Sequence, residues 1–190
     1  MPGRSLLALI VSALPAFSQS VEVADVVDAV SGDWNSDGRI DRAVLVTDHF
    51  EGTGSLYVYL GGAEPGSFEL ASVADHLVWS GIMWGTIPGL GFDENGGLLI
   101  FSGNEAIGRD RWVQQLTIGW RSNEFVVAGF IDTFWDTLNP ENFGSCRIDY
   151  LVGETYVENS EGTRTIAHEY PIVALADWSI DQPLPEECPR

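Results

Sequence analysis

Apolar and polar residues alternate along most of the chain in short runs, with the period of two residues that is typical of β-strands. Turn-forming residues separate the runs, as at 93–97 and 121–123. The pattern predicts eight strands, at residues 43–47, 55–60, 68–80, 98–102, 111–120, 124–134, 147–157 and 163–169. Segment 21–30 fits either a short helix or a strand. We therefore expect an all-β fold of antiparallel sheets, either a sandwich or part of a propeller.

Composition favours one packed domain with an acidic surface. The chain has 190 residues, is 45% hydrophobic and contains 7 tryptophans, which fits a folded domain and not a disordered acidic tail. It has 28 acidic residues against 9 basic ones, all of them arginine, and its net charge is −19. A surface this negative repels phosphate groups, so we expect no binding to nucleic acid.

The N-terminal segment has the layout of a secretory signal peptide. Arg4 precedes an apolar run at 6–11, and small residues flank Phe17 at Ala16 and Ser18. We expect cleavage near Ser18, so that residues 1–18 are removed and 19–190 form a single β domain. The alternative is a buried N-terminal strand or helix. No apolar run reaches the roughly 20 residues that span a bilayer, so no transmembrane segment is expected. These features predict a periplasmic or secreted protein.

Cys146 and Cys188 are the only cysteines. In an oxidising compartment, an even count favours one disulfide, which would fasten a proline-rich C-terminal tail. The alternative is two free thiols.

One segment has the composition of a calcium loop. Oxygen-bearing side chains stand at its positions 1, 3, 5 and 9, and glycine stands at position 6. The predicted ligands are Asp33, Asn35, Asp37, the carbonyl of Arg39, and Asp41. An EF-hand needs glutamate at position 12, where this chain has Val44 at the start of a strand. The alternative is a turn whose Asp and Asn side chains bond their own backbone without an ion.

A calcium loop that leads directly into a strand, as over residues 32–45, is similar to the FG-GAP/VCBS-type repeat. Residues 57–61 also resemble a later strand of that repeat, and the match covers roughly 31–62. In that family the loop joins two antiparallel strands of a propeller blade. The resemblance implies one structural Ca²⁺ on the five residues named above. The chain has one such loop and not a tandem array.

The second half, 63–190, is expected to be an antiparallel β region with a disulfide-tethered tail. Residues 104–112, 116–121, 125–130 and 146–153 resemble small exported bacterial proteins, chiefly alphaproteobacterial, that combine one calcium-loop segment with an antiparallel sheet. That resemblance implies an architecture and a compartment, and no activity.

No nucleophile elbow, P-loop, dinucleotide fingerprint or zinc-protease motif is present. The candidate carboxylate pair for glycoside hydrolysis is formed by Glu105 and Asp110, or by Asp93. Acids that form salt bridges at a turn are the alternative, and it fits these residues better. The histidines (His49, His76 and His168) are far apart in sequence. Trp79, Met83 and Trp84 fit either a platform for sugar or peptide, or core packing.

Together the patterns favour an exported, calcium-stabilised, non-enzymatic binding or structural β-module. Two alternatives stay open. One is a periplasmic hydrolase acting on glycan or cell-wall material. The other is an acidic inhibitor or adhesion module for a basic protein. No residue identifies a specific partner, and the two candidate classes of partner are a basic protein and a glycan.

Overall fold

The structure is a computed structural model that describes residues 22, 25–48, 50–81 and 85–188. The predicted signal peptide therefore lies outside the described residues, as do His49, Met83 and Trp84. The described residues form two antiparallel β-sheets, which confirms the all-β prediction. No helix in these ranges is long and apolar enough to cross a bilayer.

The first sheet has four strands in the order of the sequence. They are β1 (Val26–Gly32), β2 (Asp41–Asp48), β3 (Thr53–Gly61) and β4 (Phe68–Trp79). A four-stranded antiparallel sheet is also the unit of a propeller blade. The sheet extends over 26–79, beyond the 31–62 segment that resembles the calcium-loop repeat.

The second sheet has seven strands and is again a meander, so each strand pairs with its neighbours in sequence. Its strands are β5 (Gly89–Phe92), β6 (Leu98–Asn104), β7 (Asp110–Arg121), β8 (Glu124–Asp136), β9 (Asn139–Asp149), β10 (Glu154–Asn159) and β11 (Gly162–Ala167). Neither sheet closes on itself.

Alternate residues of the two sheets form one continuous hydrophobic core. Leu45, Leu56 and Val58 from the first sheet are fully buried in it. Ile100 and Val127 from the second sheet belong to the same cluster. Because a strand points successive side chains to opposite faces, the period-two pattern in the sequence becomes the buried face of each sheet.

The structure decides one open assignment and corrects two strand predictions. The pattern of segment 21–30 fits either a helix or a strand, and β1 covers its residues 26–30, whereas 21, 23 and 24 lie outside the described residues. The short strand β5 was not predicted. The predicted strand at 147–157 is divided between β9 and β10, because Asp149 accepts the backbone N–H groups of Leu151 and Val152 in a turn, and Gly153 then adopts a positive φ of 80°.

The C-terminal tail packs across both sheets. Val127 N donates to Val173 O on the second sheet, and a short 3-10 helix follows at Leu175–Asp177. Trp178 then packs into the core, and Ile180 N donates to His76 O on β4 at 2.9 Å. Near the end of the tail, Cys188 lies at disulfide distance from Cys146 on β9, with Cα atoms 5.3 Å apart. The tail thus connects the two sheets.

Candidate metal centre

The predicted calcium loop is the connection between β1 and β2. The two strands pair as far as Gly32 and Asp41, so residues 33–40 form the hairpin loop. Gly38 has a φ of +81°, a conformation that favours glycine, and Ser36 also has a positive φ of 59°. Asp33, Asn35, Asp37 and Arg39 therefore lie in the loop, and Asp41 begins β2.

The first three predicted ligands turn their side chains onto the loop backbone. Asp33 accepts N–H groups of Asp37 at 3.1 Å and Gly38 at 2.9 Å, and Asn35 Oδ1 accepts the Asp37 N–H at 3.1 Å. These are the Asx-type turns that the sequence offered as the ion-free alternative. These hydrogen bonds do not use every lone pair of the carboxylate oxygens, because each oxygen has two lone pairs. The same oxygens can therefore still bind a cation.

Asp37 is bound by Arg39. The guanidinium donates to Asp37 Oδ2 through Nε at 3.1 Å and Nη2 at 2.6 Å. The pKa of Asp37 is lowered, first by the Arg39 backbone N–H, which donates to Oδ1 at 2.8 Å, and then by the Arg39 side chain. Solvent screens an ion pair at this exposed position, so the pair contributes little to stability and a cation can compete for the carboxylate.

Asp41 differs from the other predicted ligands because it is fully buried, with 0% exposure. Its Oδ2 accepts the Trp34 N–H at 2.9 Å, and its Oδ1 accepts the Gly61 N–H at 3.0 Å. One carboxylate therefore ties the loop, the start of β2 and the end of β3 together. The sequence identified Asp41 as a candidate ligand and did not reveal this structural role.

Trp34 fastens the loop to the second sheet. Its ring stacks near Phe92 at the end of β5, with centroids 6.5 Å apart. The indole also lies against Gly32, where an added Cβ would come within 2.8 Å of the ring. The indole Nε1 is buried and has no hydrogen-bond partner among the described residues. The loop is thus anchored at the place where the two sheets meet.

The described part of the chain does not gather three or more His, Cys, Asp or Glu side chains into a group that could hold a metal ion. The predicted ligands Asp33, Asp37 and Asp41 are close in sequence but are held by different backbone groups. The donor set itself, three carboxylates, one amide and one carbonyl, is made entirely of the hard oxygen atoms that Ca²⁺ prefers.

Asp93 lies apart from the other two predicted acids, Glu105 and Asp110. Glu105 lies in the connection between β6 and β7, and Asp110 begins β7, whereas Asp93 lies at the opposite end of β6, about 20 Å away along a strand of this length. Glycosidases need carboxyl groups about 5–10 Å apart, so Asp93 does not fit a pair with either acid. Arg109 donates to Asp136 across the β7–β8 hairpin, so the ion pair expected with its sequence neighbours is made elsewhere.

The described histidines lie apart. The ring of His76 hydrogen-bonds Thr53 at 3.1 Å, and His168 packs on Tyr170 with ring centroids 4.5 Å apart.

Trp79 lines a surface cleft together with Trp112, a partner that the sequence did not indicate. Both lie near the ends of strands in different sheets, which only the fold brings together.

Comparison with protein-family models, with curated proteins and with solved structures found no match for this chain.

Proposed function

We propose that this chain is an exported, non-enzymatic β-module that Ca²⁺ stabilises and that binds a glycan or a basic protein. The observation that supports the calcium role most directly is the attachment of the loop. Its oxygen donors stand on a hairpin that Asp41 ties to β3 and Trp34 packs against the second sheet. An ion held there would therefore stabilise the whole fold and not a free loop.

The proposed ion would be held by the side chains of Asp33, Asn35, Asp37 and Asp41 and by the Arg39 carbonyl. It would neutralise carboxylates that otherwise repel one another within nine residues, and it would replace the Arg39 guanidinium on Asp37. A ligand that binds only the folded state stabilises it by about 2.7 kcal/mol at a concentration 100 times its Kd. The expected role of the ion is structural.

Export is proposed from one feature of the sequence and one of the structure. Residues 1–18 have the layout of a signal peptide, and Cys146 and Cys188 are paired at disulfide distance. A periplasmic or extracellular compartment also supplies calcium to a site of moderate affinity.

Thermal unfolding in the presence of Ca²⁺ and of EDTA tests the proposal. We expect the protein to melt at a higher temperature with calcium, and Asp37→Ala to abolish the difference. Asp93→Ala is the matched control, because Asp93 accepts N–H groups of Asn95 at 2.7 Å and Gly97 at 2.8 Å in a similar turn outside the loop. It should lower the melting temperature equally in both buffers.

Terbium provides a second measurement. Trp34 lies within the loop, so excitation of tryptophan should sensitise luminescence from Tb³⁺ bound there, and Ca²⁺ should quench it by displacement. Identical melting in calcium and EDTA, together with no sensitised terbium signal, would reject the calcium site.

A further inference from the structure

A cleft of about 460 Å³ opens where the ends of the two sheets meet. Its described lining includes Glu51 and Gly52 from the β2–β3 loop, Trp79 and Ser80 from the end of β4, and Trp112 from β7. Its volume lies within the range of about 300–1,000 Å³ that is usual for small-molecule sites.

The walls of the cleft are held by hydrogen bonds between its own segments. Ser80 N donates to Gly52 O at 2.9 Å, and Ser102 Oγ on β6 donates to Trp79 O at 2.7 Å. The first bond joins two segments of the first sheet, and the second joins the two sheets. The cleft is therefore largely preformed, which lowers the entropic cost of binding.

Trp79 and Trp112 differ from the core tryptophans. Trp120 packs edge-on against Phe125, and Trp178 packs against Phe130. Within the described residues, neither indole of the cleft packs against another aromatic ring. Trp79 is 44% exposed, although it follows the buried residues Leu77 and Val78 in the same strand. The exposed Trp79 indole and the half-buried Trp112 indole thus leave apolar surface in the cleft for a ligand.

Polar groups without protein partners lie beside these rings. Thr86 is only 4% exposed, yet its hydroxyl makes no hydrogen bond to any described residue, while its backbone pairs with Gly81. The Glu51 carboxylate likewise has no partner in the described ranges. The buried side-chain atoms that lack a partner among the described residues are Trp34 Nε1 and Arg111 Nη1, so the Thr86 hydroxyl keeps contact with the solvent of the cleft and is available to bond a ligand there.

We propose that this cleft binds a neutral oligosaccharide. The C–H faces of a pyranose ring can stack on the indoles, and the sugar hydroxyls can both donate to Glu51 and bond the Thr86 hydroxyl. No cationic side chain is among the described lining residues, and the chain has a net charge of −19, so an anionic ligand is disfavoured. The inference rests on the binding role proposed above and specifies its ligand class, but it uses no residue of the calcium loop.

Isothermal titration calorimetry tests the proposal. The purified protein is titrated with cellohexaose, mannohexaose, xylohexaose and chitohexaose. We expect at least one of these neutral hexasaccharides to bind with a Kd below about 1 mM. Trp79→Ala and Trp112→Ala should each weaken binding about tenfold or more, and Thr86→Val should weaken it several-fold. Trp135→Phe, at an indole that is not among the described lining residues, should leave binding unchanged.

The experiment distinguishes this inference from the calcium proposal. Asp37→Ala should bind the sugar as the unmodified protein does, and the folded Trp79→Ala protein should keep its calcium-dependent melting shift. Binding of none of the four sugars would overturn the inference. Sugar binding that survives both tryptophan substitutions, or binding of hexalysine in place of the sugars, would also overturn it.

Discussion

Arg109 and Asp136 form a two-pronged ion pair at the open end of the β7–β8 hairpin. Arg109 Nε donates to Asp136 Oδ1 at 3.0 Å, and its Nη2 donates to the second carboxylate oxygen. The Asp136 side chain is only 3% exposed, and its Oδ1 also accepts the Leu138 N–H at 2.9 Å. The Arg109 hydrogen bond, followed by the Leu138 N–H, lowers the pKa of Asp136 to about 2.

This ion pair predicts a pH dependence of stability. The folded-state pKa of Asp136 lies below the unfolded value of about 3.9, so the ionised carboxylate stabilises the fold above about pH 4, and this contribution is lost as the pH falls toward 2. Asp136→Asn should therefore be less stable than the unmodified protein at pH 5–7, and the difference should shrink between pH 4 and 2. Urea unfolding at several pH values measures it. Glu94→Gln, at an exposed acid, is the control, and a difference that stays constant down to pH 2 would contradict the assignment.

The buried carboxylate of Asp41 predicts a loss of stability that does not depend on calcium. In Asp41→Asn, an amide group would replace one oxygen and face the N–H of Trp34 or Gly61, so that one buried donor loses its acceptor. We expect a decrease of about 1–3 kcal/mol in the free energy of unfolding, in EDTA as well as in calcium. Chemical denaturation in the two buffers measures it. An effect confined to the calcium buffer would show that Asp41 acts only as a ligand.

The tail predicts sensitivity to reduction. A cross-link between Cys146 and Cys188, which are 42 residues apart, should stabilise the fold by about 2–4 kcal/mol. Cys188→Ser should lose that amount, and dithiothreitol should destabilise the unmodified protein to the same level without affecting the variant. Urea unfolding with and without reductant measures both. If the reductant had no effect on the unmodified protein, the cysteines would be free thiols.

The backbone at His76 predicts an unusual preference for glycine. His76 lies within β4 with a positive φ of 51°, where residues with a Cβ are strained. His76→Gly should therefore be about 1 kcal/mol more stable than His76→Ala, although both lose the hydrogen bond to Thr53. At the neighbouring Asp75, the order should be reversed, with alanine more stable than glycine. Thermal unfolding of the four variants checks it, and glycine below alanine at His76 would contradict the strain.

The sequence predicts the fold class well because burial alternates along the strands. Leu56 and Val58 are fully buried, and the intervening Tyr57 is not, as the period of two requires. β5 escaped prediction because it has only four residues, two of them glycine, so no alternation can be recognised. Its place is set instead by pairing with β6 and by the Asp28 carboxylate of β1, which accepts the Leu90 N–H at 2.8 Å.

The candidate sites are less accessible to sequence reasoning. The loop spacing identifies the possible ligands, but it cannot show that Asp41 is buried, because that depends on the Gly61 N–H at the far end of β3. Likewise, Trp79 and Trp112 belong to different sheets, and nothing in their local sequence shows that they share a cleft. Motifs reveal sites within one segment, whereas sites between segments need the fold.

The order of the strands has a consequence for folding. In both sheets every strand pairs with its sequence neighbour, so the strand pairs can form as successive hairpins with short loops to close. Such local contacts favour rapid folding for a β protein. The tail is the exception, since Ile180 must find His76 on the first sheet, and Leu175 and Trp178 must enter the core. Docking of the tail is therefore the step whose contacts join residues far apart in the sequence. We expect it to occur last and to limit the rate at which the native core is completed.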